Sequence, residues 1–202
     1  AERAEAEAAL ANMGTTLVAA VAYENGVVIT NVGDSRAYYI TEAGITRITK
    51  DHSLVETMVD HGDITADEAR RHPGRNLITR ALGRDTNAAC DGYIRPMEQG
   101  DFILLCTDGL TGKLSDSQLQ AALGADLPLP ELGQALMAQA LAAGPGDNIT
   151  LVLIEITALD AETAVPLPQP PAEELSQTRR FEVPAARIAE QETQRKKHAH
   201  AR

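Results

Sequence analysis

Tryptophan is absent from this chain and aromatic residues make up only 3% of it. An apolar interior must then be aliphatic, built from Leu, Val, Ile and Ala. Two cysteines, Cys90 and Cys106, are too few for a disulfide framework or a zinc cluster. Cys106 ends an apolar run and reads as a small core residue. A reducing cytoplasm is the simplest setting for such a chain. No apolar run is long enough to span a bilayer, and none has the form of a signal peptide. Positive charge is scarce as well. Lys and Arg number 18 against 29 Asp and Glu, a formal net charge of -11. That balance argues against a general nucleic-acid surface. It leaves a phosphorylated partner open, because a bound metal can reverse the local field. What remains is ordinary: 44% hydrophobic content over 202 residues, enough for one domain with a sizeable core.

The order of signals along the chain suggests an antiparallel meander followed by helices. Residues 1 to about 11 are rich in Ala and Glu and read as the later part of a helix without its cap. Leu17 to Tyr23 reads as a buried strand, and Glu24-Asn25-Gly26 as a hairpin turn. Val27 to Val32, Ala37 to Ile40 and Ile45 to Ile48 continue the meander. Residues 51 to about 84 are polar with helical spacing, and read as a helical insertion over the sheet edge. Within it, Thr65 and Glu68 have the spacing of a capping box. Strands resume near Ala89 to Ile94 and Asp101 to Cys106. Ser115 caps a helix to about Leu123, and another runs from Leu129 to about Ala143. Asn148 to Ile156 reads as the last strand. Residues 1–158 are thus one domain, and the proline-rich 159–202 a disordered tail or linker.

Two acidic turns carry the chemistry: Thr107-Asp108-Gly109 and Gly146-Asp147-Asn148. Each joins an apolar strand to a turn. Carboxylates there suit a hard cation such as Mg²⁺ or Mn²⁺, although Asp, Asn and Gly also favour plain turns. Two carboxylates about 4 Å apart repel by roughly 4 kcal/mol at an effective dielectric of about 20, so a pair held close calls for a cation or a proton.

Five words in sequence order make the case stronger. They are Met13-Gly14-Thr15-Thr16, Val32-Gly33-Asp34-Ser35-Arg36, Thr49-Lys50-Asp51-His52-Ser53, Leu104 to Leu110 and Gly146-Asp147-Asn148-Ile149-Thr150. Together they resemble the metal-dependent serine/threonine protein phosphatases of type 2C, in their bacterial form. The resemblance implies an α+β fold, an antiparallel β-sandwich flanked by helices, with metals at one end. It implies that Asp108 and Asp147 hold the second metal, and that Asp34 and Asp108 share a third. Mg²⁺ or Mn²⁺ would be the ion, two to three in the intact site. A flap over residues 51 to 80 would govern access. A phosphoprotein would be the substrate, with a Ser/Thr kinase as a counterpart. Other polar residues are read as structural: Arg36 as a carboxylate partner, His52 as a surface histidine, Arg75 and Arg80 as a solvated or salt-bridged face.

The chain departs from the family in one respect. It contains no Asp-Gly-x-Gly-Gly turn, whose aspartate bridges two metals in the family, and the family's phosphate-gripping arginine has no match. The sandwich is therefore expected to be incomplete at its N-terminus, no catalytic residue is assigned, and weak activity or none is expected of the chain alone. The alternative reading is a non-catalytic phosphatase-like module that binds a phosphorylated partner or regulator.

Overall fold

The computed structural model of the chain describes residues 13–23, 26–83, 89–144, 146–159 and the strand at 179–183. Two four-stranded antiparallel sheets stack on each other. The first has the order β1-β2-β5-β8: Leu17–Tyr23, Gly26–Val32, Cys90–Pro96 and Arg179–Val183. The second has the order β4-β3-β6-β7: Gly44–Arg47, Arg36–Thr41, Phe102–Cys106 and Leu151–Glu155. Five helices complete the described elements: α1 (Leu54–His61), α2 (Ala66–Ala69), α3 (Asp108–Thr111), α4 (Asp116–Leu123) and α5 (Leu129–Ala142). The α+β sandwich expected from the sequence is therefore the fold.

Alternation along the strands builds two cores. Side chains of period two point to opposite faces of a sheet. In β2, Val27 and Ile29 turn inward and meet Tyr39, Tyr93, Ile103 and Ile156 between the sheets. The neighbouring strand β3 sends Tyr38 and Ile40 to the other face of its sheet. There they pack with Leu104 and Cys106 beneath Leu119, Leu123, Leu136 and Ala140 of α4 and α5. The aliphatic expectation needs a correction. Tyr38, Tyr39 and Tyr93 are all buried, because each phenol finds a polar partner. The Tyr38 hydroxyl donates to Asp116 at 3.0 Å, and that of Tyr39 to Asp101 at 2.6 Å.

Strand β1 also differs from its reading. It lies at the edge of the first sheet, and Val21 is 62% exposed. An unbroken apolar run does not distinguish a strand buried on both faces from an edge strand whose outer face is uncovered. The insertion holds α1 and α2, the latter with both halves of the Thr65–Glu68 capping box. Gly62, at a φ of 76°, closes α1. Residues 73–83 form turns rather than helix, tied by isolated bridges from Ser53 to Ile78 and Thr15 to Leu82. The opening Ala/Glu segment and the Asn25 turn lie outside the described residues.

Strand β8 falls within the stretch that composition marks as a tail. Its backbone pairs with β5 from Cys90↔Val183 to Ile94↔Arg179. The Arg-Arg-Phe-Glu-Val run contains no proline, unlike the stretch before it, so no backbone N–H that the ladder to β5 needs is missing.

Candidate metal centre

Three loops at one end of the sandwich bring together the three aspartates singled out by sequence. Asp34 sits in the turn between β2 and β3. Asp108 is the first residue of α3, directly after β6. Asp147 precedes β7. All three line one open cavity of about 690 Å³. Their charges also feel one another. Burial, and then Asp108, push the Asp34 carboxyl up to about 6. Asp108 is raised as well, by burial and then by Asp147.

The local chain geometry explains the sequence words. Gly33 has a φ of 102°, and a Cβ there would lie 2.3 Å from Thr16 Cγ2. Glycine is the residue that tolerates both conditions. Thr16 and Ser35 share a hydroxyl hydrogen bond of 2.9 Å, so the Gly-Thr-Thr word and the Gly-Asp-Ser word are two halves of one contact. Gly109 is equally constrained. A Cβ at Gly109 would lie 2.2 Å from the Asn148 carbonyl oxygen. Thr107 stitches the same two loops: its N–H donates to Thr150 O at 3.0 Å, and its hydroxyl accepts from Thr150 N–H at 3.0 Å. Asp108 and Asp147 are 39 positions apart by numbering, yet backbone contacts press their loops together.

Sequence reasoning missed a second layer of carboxylates. Asp51 and Asp116 also line the cavity. Asp51 binds Arg36 through both oxygens, at 2.9 Å to Nε and 2.6 Å to Nη2. Burial opposes the Arg36 charge, but the bond to Asp51 and its attraction outweigh it, and the guanidinium pKa is raised. Arg36 passes the contact on to the Tyr38 hydroxyl at 3.2 Å, which donates to Asp116. The only clue in the sequence was the Thr-Lys-Asp-His-Ser word.

His52 is the clearest correction. It is 6% exposed rather than on the surface. Its ring lies between the Gly33 N–H and Asp91, a carboxylate that sequence reading did not flag. Arg80 is salt-bridged, to the same Asp91 at 3.0 Å. Arg47, Arg70 and Arg75 line the cavity as well. Arg47 pairs with Glu56, and Arg70 donates to Thr111 O at 3.3 Å.

The residues present suit a hard divalent ion. The donors are carboxylate oxygens, and burial and neighbouring carboxylates raise the pKa of two of them, Asp34 and Asp108, a penalty on their charge that a cation would relieve. Among the described residues, no group of three or more His, Cys, Asp or Glu side chains is placed to hold a metal ion together. Mg²⁺ manages with one or two carboxylates and water, so an open set remains compatible.

Two stacked sheets with an acidic cavity where loops from both meet agree with the architecture that the resemblance to type 2C phosphatases implies. Residues 1–143 match the family model described as Protein phosphatase 2C. The chain belongs to the protein phosphatase 2C family. It is 39% identical over 152 residues to the serine/threonine phosphatase stp of Listeria monocytogenes, covering 75% of this chain and 60% of that protein. The crystal structure of serine/threonine phosphatase Stp1 from Staphylococcus aureus matches with a TM-score of 0.75 at 40% identity, over 78% of this chain and 62% of that one. The catalytic domain of serine/threonine protein phosphatase PstP, crystallised in complex with 2 manganese ions, matches with a TM-score of 0.70 at 36% identity, over 78% and 65% of the two chains. The chain thus spans about 60% of the length of the curated relative it matches.

Proposed function

We propose that this chain supplies part of the metal centre of a protein phosphatase acting on phosphoserine and phosphothreonine. Asp108 and Asp147 would hold one Mg²⁺ or Mn²⁺, and Asp34 with Asp108 a further one. The observation that carries this is the meeting of Asp34, Asp108 and Asp147 from three loops in one cavity, with Asp34 and Asp108 held above the ordinary carboxylate range. When bound, such ions supply Lewis acidity at the phosphoryl oxygens and activate water.

The chain's own residues would then do three things. The aspartates place negative charge where the ions bind. Arg70 and Arg75 line the same cavity and give it positive charge suited to an anionic substrate, whereas Arg47 is paired with Glu56. Arg36 is committed to Asp51, so its role is to hold the wall rather than to grip phosphate. Phosphoproteins made by a Ser/Thr kinase are the substrate class, in a cytoplasmic setting, and no described helix is long and apolar enough to cross a membrane. Residues 1–158, with strand β8 at 179–183 added to the first sheet, are proposed as the phosphatase-like unit.

Hydrolysis by this chain alone is proposed to be weak or nil, since the sequence has no Asp-Gly-x-Gly-Gly turn to join two ions. The test is Mn²⁺-dependent turnover of p-nitrophenyl phosphate by the purified chain, alongside Mn²⁺ binding by electron paramagnetic resonance. Binding with little turnover is expected. Turnover near that of an intact relative would refute the weak-activity proposal, and absence of Mn²⁺ binding would refute the metal assignment.

A further inference from the structure

We propose that His52 is the positioning residue for the Asp34 turn, clamping the Gly33 peptide and tying it to the far end of the flap. This rests on the reading of Asp34 as a metal ligand. Gly33 lacks a side chain and sits at positive φ, so nothing of its own fixes the direction in which Asp34 leaves the strand. His52 fixes it from both sides. The His52 backbone N–H donates to Gly33 O at 2.9 Å, and its ring Nδ1 accepts from the Gly33 N–H at 3.0 Å.

Accepting at Nδ1 sets the tautomer. The neutral ring must then carry its proton on Nε2, which faces Asp91 Oδ2 at 3.1 Å; Arg80 Nη1 stands 3.2 Å from the same nitrogen and, being donor-only, makes its bonds to the Asp91 carboxylate and Ala89 O instead. Asp91 is 1% exposed, and its other oxygen takes Arg80 Nη1 at 3.0 Å. Arg80 lies at the end of the 51–80 stretch, two residues before the isolated bridge of Leu82 to Thr15. One residue earlier, the Thr79 N–H donates to His52 O at 2.8 Å. A displacement of the flap's end would therefore reach Asp34 through a short chain of packed polar contacts. None of His52, Asp91 or Arg80 lines the cavity, so the effect on any ion is indirect.

A histidine that merely fills the core needs volume, whereas a positioning histidine needs an acceptor at Nδ1. Two variants separate these requirements. In His52→Asn the amide oxygen stands near the place of Nδ1 and the reach to Asp91 is lost. In His52→Gln the amide nitrogen reaches Asp91 but the acceptor for Gly33 is lost. Hydrogen exchange at Gly33, Asp34 and Ser35 is measured in the metal-free full chain, and Mn²⁺ affinity by electron paramagnetic resonance titration. The expected result is near-native protection and affinity in His52→Asn. In His52→Gln, Gly33 is expected to be deprotected and Mn²⁺ affinity to fall about 10-fold or more. The reverse order, or equal losses in both variants, overturns the proposal. Deprotection in His52→Gln alone, in a chain that binds no Mn²⁺, sinks the metal reading and supports the clamp. Should neither variant fold, the wild-type chain still decides the matter: long-range ¹H–¹⁵N correlation must find the His52 proton on Nε2, and a proton on Nδ1 overturns the proposal.

Discussion

Replacing Asp34 by asparagine should stabilise the metal-free protein. Burial and the Asp108 charge raise the Asp34 carboxyl from 3.8 to about 6 in the folded chain. The unfolded chain therefore gives up this proton at lower pH than the folded one. Folded-state stability falls as pH rises from about 4 to about 6, and the full penalty stands above that window. The displacement corresponds to about 3 kcal/mol. Asp34 is only half-buried, and solvent screening cuts this to about 1–2 kcal/mol. The neutral amide of the Asp34→Asn variant would carry no charge to desolvate or repel. For a domain of this size the gain is a rise of about 2–8 °C in melting temperature at pH 7.5 in chelator. Below pH 4 the two proteins should melt together. Thermal unfolding followed by circular dichroism across pH 3.5 to 8 is the assay. Equal stability at pH 7.5, or a gain that does not vary with pH, would refute the reasoning. Saturating Mn²⁺ should invert the order: at 100 times Kd a ligand adds about 2.7 kcal/mol to the form that binds it.

Other consequences follow from single contacts. Gly109→Ala would gain helix propensity in open solvent, but its Cβ meets the Asn148 carbonyl. Urea denaturation should show a loss of about 1–3 kcal/mol, with weaker Mn²⁺ binding. Leu136, fully buried beneath the second sheet, should cost about 2–5 kcal/mol when cut to alanine, read by the same denaturation. Ser115→Ala removes the capping box of α4, and thermal melting should show a loss of about 1 kcal/mol.

Local signals were legible where one residue type answers one backbone need. The Thr65–Glu68 box, the Ser115 cap of α4 and the stop of α1 at Gly62 follow from caps and glycine, and the bounds of α5, legible within a residue, from the proline at its start and the glycine beyond its end. Asp108 and Asp147 were visible because each sits in a turn beside glycine or asparagine at a strand end, and Asp34 came with the family resemblance. What escaped was set by tertiary contact. Asp91 and Asp116 lie in ordinary sequence and Asp51 in a word that does not itself reveal its role; only their partners Arg36, His52, Arg80 and Tyr38 give them one. A histidine's burial has no periodic signature. The edge position of β1 and the docking of β8 depend on which strands are neighbours, and hydropathy does not encode that.

The most direct test places the ion itself. Crystals of the chain soaked in Mn²⁺ should give an anomalous-scattering peak within coordination distance of the carboxylates of Asp108 and Asp147, absent in Asp147→Asn. Peaks confined to other sites, or none at saturating Mn²⁺, would contradict the assignment of these two residues to one metal centre.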